Sequence, residues 1–210
     1  MSTLVFDDEQ GYADFVTFVG RARAVEPDGA MHLQAVGTTL AAHVGVLPGR
    51  GLLGEGTVTG MRAMALGEAS TVDAVVSLAS LADRFARQPE GAVEVPVPPT
   101  TVTAVWASLA PRREGWEPVG EVSERELERA ARAGIEEVAR GTVATAGAPA
   151  VAQLRQSVWG RLTATMPPVP AGAAFAAYVL GFLDPARDAR VFARGRWVRV
   201  ATRRGQVLVR

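Results

Sequence analysis

The spacing of apolar residues changes period repeatedly along the chain, and each change marks an element. Tyr12, Phe15, Val16, Val19 and Ala22 recur at three- and four-residue steps, which predicts an amphipathic helix over 9–24 with acids in its first turn. From residue 30 the period falls to two. Segments 30–36 and 39–47 read as strands separated by Gly37-Thr38, a two-residue link with Gly first that specifies a type II′ hairpin. That register sets Val36 against Thr39, Gln34 against Ala41 and His32 against His43. Strands are also expected near 57–64 and 72–76. Ser77 then caps a helix through Arg87 that turns Leu78, Leu81, Ala82 and Phe85 inward.

Between Pro89 and Pro99, Val93, Val95 and Val97 alternate with Glu94, Pro96 and Pro98, the pattern of an edge strand or a semi-rigid linker. This places a boundary at 95–99, between an N-terminal α+β lobe over 1–94 and a C-terminal lobe over 100–210, unless the two merge into one compact domain. A short helix is expected over 100–109, bearing Val102, Val105 and Trp106. Ser123 with Glu126 forms a capping box, and Val122 with Leu127 a hydrophobic staple, for a helix to Arg140 that buries Leu127, Ala131, Ile135 and Val138. Pro149 opens another amphipathic helix, with Val151, Leu154, Val158, Trp159 and Leu162 on one stripe.

Residues 171–183, AGAAFAAYVLGFL, carry no charge and are bracketed by prolines, which predicts a helix buried on nearly all sides. At about 1.5 Å per residue it is too short to span a bilayer. The tail beyond Pro185 reads as a three-stranded antiparallel meander turning at Arg194-Gly195 and Arg204-Gly205. With those turns Val191, Val198, Val200, Thr202, Val207 and Val209 share one face. Phe192, Trp197, Arg199, Leu208 and Arg210 share the other, with Arg199 directly across from Arg210. The fold class is therefore α+β: an N-terminal antiparallel sheet with helices, a helical segment containing the buried apolar helix, and the C-terminal meander.

With 210 residues, 48% of them hydrophobic, the chain is long enough to bury a sizeable core. It has no Cys, which excludes disulfides, thiolate nucleophiles and thiolate metal sites. It has no Lys either, so all 22 basic residues are Arg, and Schiff-base chemistry and the phosphate-loop lysine are excluded. Asn is also absent, Ile occurs once, and Ala, Gly, Val and Arg abound. That bias is what GC-rich codons produce, so Arg abundance alone says nothing of function. The acidic N-terminal stretch and the lack of a membrane-length apolar run lead us to expect a soluble, cytoplasmic protein. Net charge is zero but divided: residues 1–140 hold 20 acids against 12 Arg, and residues 141–210 hold 2 acids against 10 Arg. Such a division suits either an anionic partner or attraction between the two halves.

Candidate chemistry is sparse. His32 and His43 facing one another offer two imidazoles to a metal, with Glu55 or Glu68 as a third ligand; an exposed polar strand face is the alternative. Gly49-Arg50-Gly51-Leu52-Leu53-Gly54 has the spacing of a dinucleotide fingerprint, yet a strand rather than a helix is expected to follow, so it reads as a hairpin connection. Phe192, Trp197, Arg199, Arg203 and Arg210 interleave rings with guanidinium groups, which suits nucleic acid or another anionic ligand, or else mutual packing and internal neutralisation. No cofactor is predicted.

The blocks WEPVGEV at 116–122, VPAGAAFAAYVLGFL at 169–183 and GRWVRVATRRGQVLVR at 195–210 resemble a family of uncharacterised actinobacterial proteins. The resemblance implies no activity and no site residues. The expected function is a non-catalytic interaction or structural protein that self-associates or binds a protein partner. Nucleic-acid or anion binding by the meander is the alternative, and an enzyme using His32 and His43 the third reading.

Overall fold

In the computed structural model the described residues are 2–51, 53–109, 111, 114–142 and 147–210. They form five α-helices and nine β-strands paired antiparallel, an α+β architecture. Leu52, which figures in the glycine motif above, lies outside the described residues. The chain divides into two compact units, residues 1–46 with 61–110, and residues 47–60 with 111–210.

The first unit contains β1 (Thr3–Val5), α1 (Glu9–Val25), β2 (Ala30–Leu47) as far as Val46, β3 (Val58–Ser70) from Met61 onward, β4 (Asp73–Ser77), α2 (Leu78–Phe85) and β5 (Glu94–Pro96). α1 begins where Asp8 accepts a hydrogen bond from the Gly11 amide at 2.7 Å, and it buries Phe15, Phe18, Val19 and Ala22. β2 is one extended run that doubles back at Gly37, whose φ of 59° is the left-handed conformation a II′ turn requires. Buried positions are odd-numbered up to Ala35 and even-numbered from Leu40, so both arms of the hairpin present one face to the core. β4 pairs with the first arm, Gln34 against Asp73 and Ala30 against Ser77. Ser77 caps α2 by accepting the Ser80 amide at 3.1 Å. β5 pairs with β1, Leu4 against Val95, and both of those side chains are fully buried. The helix expected over 100–109 is absent: Val105–Ser108 make a single 3₁₀ turn, with Val105 exposed. Trp106 packs against Gly45, but Val102 and Val105 are exposed, so a nucleus of one turn lacks the apolar face that would extend it.

The second unit contains segment 47–60 and then β6 (Glu117–Ser123), α3 (Glu124–Gly141), α4 (Ala148–Gly160), α5 (Ala171–Val179), β7 (Asp188–Arg194), β8 (Trp197–Ala201) and β9 (Gln206–Val209). Its strands lie in the order β9-β8-β7-β6. The C-terminal meander is therefore present, and β6 adds a fourth strand that its Pro- and Gly-containing sequence conceals. β6 carries a bulge between Pro118 and Gly120.

Ser123 sits at the N-cap of α3, but its side chain makes no capping hydrogen bond, so the capping box does not form. Glu124, at the next position, is drawn inside instead and accepts the Asp184 amide at 2.6 Å. The staple residues Val122 and Leu127 are both buried.

α5 is the buried helix of the sequence, with seven consecutive buried residues from Ala171 to Ala177. It ends sooner than expected. The Gly181 amide donates to Tyr178 O and the Phe182 amide to Ala177 O, with Gly181 at φ 72°, which is a Schellman closure. Phe182 and Leu183 are still buried, beyond the helix. Among the described residues no helix is long and apolar enough to cross a membrane.

Candidate binding cleft

Within the second unit a cleft of about 410 Å³ opens between the glycine-rich loop 47–56, one face of α4 and the ends of β8 and β9. Its apolar lining includes Leu47, Pro48, Val58, Trp159, Val198 and Val209, and its rim carries Arg50, Arg155, Arg196 and Arg210.

The loop is held in shape by its backbone. Arg50 and Glu55 exchange N–H···O bonds of 2.8 and 3.0 Å across it, and Gly51, Gly54 and Gly56 supply positive φ. Gly49 has no substitute, because a Cβ there would lie 2.1 Å from Thr57 Oγ1. The Gly56 amide donates to Arg210 O at 2.7 Å and the Arg210 amide to Thr57 O at 3.0 Å, so the loop is laced to the end of β9. The formal dinucleotide motif is thus a hairpin lip of the cleft, with no helix opening from it.

The opposite wall is set by aromatic packing. Trp159 stacks on Phe175 of α5 with centroids 4.3 Å apart, and lies so close to Gly134 of α3 that a Cβ there would be 2.4 Å from the indole. Arg155, one turn before Trp159 on α4, is exposed at the rim.

The charges at the rim are unequal in their partners. Arg196 Nη1 donates to Glu55 Oε1 at 2.9 Å. Among the described residues no carboxylate pairs with Arg50, Arg155 or Arg210. Arg210 lies over the Trp197 ring at 5.6 Å, and its Nε is buried with no hydrogen-bond partner among the described residues. The cleft therefore combines an apolar floor with cations in excess. The described residues lining it include no His, Asp, Glu or Tyr.

The meander differs from expectation at both turns: Arg194 lies in β7 and pairs with Trp197, so the first turn is Gly195-Arg196 rather than Arg194-Gly195, and the second is displaced as well. Arg199 pairs with Leu208, and Phe192 with Arg199, so Arg199 does not face Arg210. The Thr202 hydroxyl explains the slip: it donates to Gly205 O at 2.9 Å and accepts the Arg204 and Gly205 amides, which widens the turn to Thr202–Gly205. The slip is two residues, so every side chain keeps its predicted face. Arg199 lies over Phe192 at 4.3 Å and over Trp116 at 4.7 Å, while Arg190 reaches the same Phe192 ring at 5.8 Å. Burial first, and Arg190 second, hold the Arg199 guanidinium below its usual range. Glu121 is directly across from Arg190 in the ladder but makes no ion pair with it. Arg203 projects from the turn, exposed.

In the first unit the two histidines do meet, with ring centroids 5.9 Å apart and planes 35° from parallel. The carboxylate beside them is Asp73, not Glu55 or Glu68: His32 Nε2 and Asp73 Oδ1 are 2.6 Å apart, and Gln34 donates to Asp73 Oδ2 at 3.4 Å. The bond with His32 pulls the Asp73 carboxyl below its ordinary range. Among the described residues no group of three or more His, Asp or Glu gathers in a way that would hold a metal ion.

Residues 1–108 match the family described as Domain of unknown function (DUF8010). The chain belongs to that family. Residues 111–210 of this DUF8010 member match a second family, Domain of unknown function (DUF8185). No curated protein matches it by sequence. In three dimensions the DUF8010 member is similar to a provisional DNA polymerase III beta subunit from Eubacterium rectale, with TM-score 0.60, 8% identity and coverage of 99% of this chain and 64% of that one. It is similar too to a DNA polymerase sliding clamp from Caulobacter crescentus, with TM-score 0.58, 13% identity and coverage of 100% and 65%. The DNA polymerase III beta subunit from Pseudomonas aeruginosa gives TM-score 0.56, 13% identity and coverage of 99% and 63%. At such identities the likeness is one of fold, and the chain spans slightly under two thirds of those proteins' length.

Proposed function

We propose that this chain is a non-catalytic interaction protein on a clamp-like fold, and that its arginine-rimmed apolar cleft takes a short segment of a partner protein. The observation that carries this is the lining of the cleft. An aromatic and aliphatic floor beneath unpaired guanidinium groups is the composition of an interface hot spot, where Trp and Arg anchor contacts inside a polar rim. None of its side chains is suited to pass a proton near neutral pH, which supports binding over catalysis. The fold supports the same reading, since the similar proteins are by name subunits or sliding clamps of a DNA polymerase and so parts of an assembly.

Ala152 tests the reading, because it is exposed on α4 and lines the cleft without supporting the core. Peptides selected by display against the native chain are expected to bind it and to lose binding to Ala152→Trp, which fills the mouth. Selection of no binders, or peptides that bind Ala152→Trp equally well, would refute the proposal.

A second reading rests on the meander. Arg190 and Arg199 crowd one Phe192 ring with no carboxylate paired to either among the described residues, an arrangement that a phosphate would relieve. Here the guanidinium groups already cover the rings, so the contact would be with phosphate rather than stacked bases.

A further inference from the structure

On the reading that the cleft holds a partner segment, we infer that the segment it selects is acidic, and that Glu55 is a built-in competitor for the acid. Of the four guanidinium groups on the rim, Arg196 alone has a carboxylate partner among the described residues, and that partner is Glu55. The other three make no ion pair with a carboxylate among the described residues, although Glu55 stands across the loop from Arg50. A segment bearing Lys or Arg would meet uncompensated cations there. One bearing Asp or Glu would meet forks suited to carboxylates.

The floor sets the rest of the ligand's chemistry. Trp159 is clamped between Phe175 and Gly134, so the surface it offers is rigid and takes an aliphatic or aromatic anchor without rearranging. Arg210 is oriented by Trp197, and its backbone is bonded to Gly56 and Thr57, beside Glu55. An apolar anchor seated on Trp159 would therefore bring flanking carboxylates to Arg155 and Arg210.

Glu55 occupies part of this field. Its backbone is fixed by the two bonds to Arg50, but its side chain and that of Arg196 are 64% and 66% exposed. An ion pair so open to water is weak, and a carboxylate arriving over the apolar floor displaces it at small cost. Glu55 thus tunes the affinity of the cleft without closing it.

The experiment uses three fluorescein-labelled dodecapeptides with the same Leu-Trp anchor, flanked by two Asp, two Asn or two Lys. Anisotropy titrations would be run on the full chain, Glu55→Gln, Arg155→Ala, Arg210→Ala and Ala152→Trp, at about 50 and 200 mM salt. The Asp peptide is expected to bind about tenfold more tightly than the Asn peptide, with the Lys peptide weakest. Glu55→Gln is expected to tighten the Asp peptide about two- to fivefold and leave the Asn peptide unchanged. Arg155→Ala and Arg210→Ala are expected to weaken the Asp peptide alone. Equal binding of the Asp and Asn peptides, each lost in Ala152→Trp, would overturn acid selection and leave the cleft reading standing. No change in Glu55→Gln alongside a clear Asp preference would overturn the competitor role. Absence of binding by all three peptides, or binding that survives Ala152→Trp, would count against the cleft itself.

Discussion

Trp159 stacks on Phe175 with their planes 24° from parallel, and this pair joins α4 to α5 while the indole, otherwise buried, lines the cleft. The ring that supports the helix packing also forms the floor of the cleft. Trp159→Ala is expected to cost about 3–5 kcal/mol in urea unfolding, by the loss of a large buried ring and the cavity it leaves. Gly134→Ala should also destabilise the chain. The gain of about 1 kcal/mol in helix propensity is outweighed by a methyl group 2.4 Å from the indole, where overpacking costs about 1–3 kcal/mol. Stabilisation by Gly134→Ala would show that Trp159 is free to shift.

Glu124 confers a pH dependence of unusual sign. It is buried, its Oε1 has no hydrogen-bond partner among the described residues, and burial, ahead of all other causes, raises its carboxyl above the usual 4.5. The folded state therefore holds this proton more tightly than the unfolded state. Its contribution to stability is fully present below about pH 4.5 and is lost as pH rises through the folded value. Thermal melts of Glu124→Gln against the native chain should show a flatter profile from about pH 4.5 upward, with Gln still accepting the Asp184 amide. Parallel profiles would mean that Glu124 is not a titrating group of the folded state.

Zinc added to the protein is expected to leave the His32 and His43 imidazole resonances in place. The hydrogen bond to Asp73 already engages His32 Nε2, and a site needs further ligands that the described residues do not gather here. Asp73→Asn should move the His32 resonance, since it replaces the carboxylate that lies 2.6 Å from His32 Nε2. Stoichiometric broadening of both histidines by zinc would restore them as metal ligands.

On the phosphate reading of the meander, a labelled single-stranded DNA of about 20 nucleotides binds at about 50 mM salt and is released by about 200 mM. Arg190→Ala/Arg199→Ala is expected to abolish that binding while Arg155→Ala leaves it intact. Binding that persists in the double variant would remove the meander from the interaction.

The elements that sequence reveals best here are those whose own residues supply the reason for their form. The hairpin at Gly37 needs only a positive-φ residue between two alternating runs, and it delivers His32 opposite His43 as expected. The meander keeps its two faces because alternation survives a two-residue slip, but its pairing depends on the Thr202 hydroxyl, which no periodicity records. β6 and β1 were harder to see, while β5 was legible as an edge strand or a linker. Each is short, and β6 is interrupted by Pro118 and Gly120, so pairing partners distant in the chain make them strands.

The cleft was legible only in pieces. Trp159 stood out as one of a helical apolar stripe, Arg210 as part of an arginine-rich tail, and Gly49 to Gly54 as a weak phosphate motif. By itself the sequence determined the class of the fold, the buried apolar helix and the strand faces, because these follow from hydrophobic period and from residues that act on their own backbone. It could not determine which of 22 arginines lack a carboxylate partner, that Glu124 is drawn inside, or that the loop, α4 and β9 enclose one cavity. Those properties depend on distances between residues as far apart as Arg50 and Arg210, and the tertiary structure alone decides them.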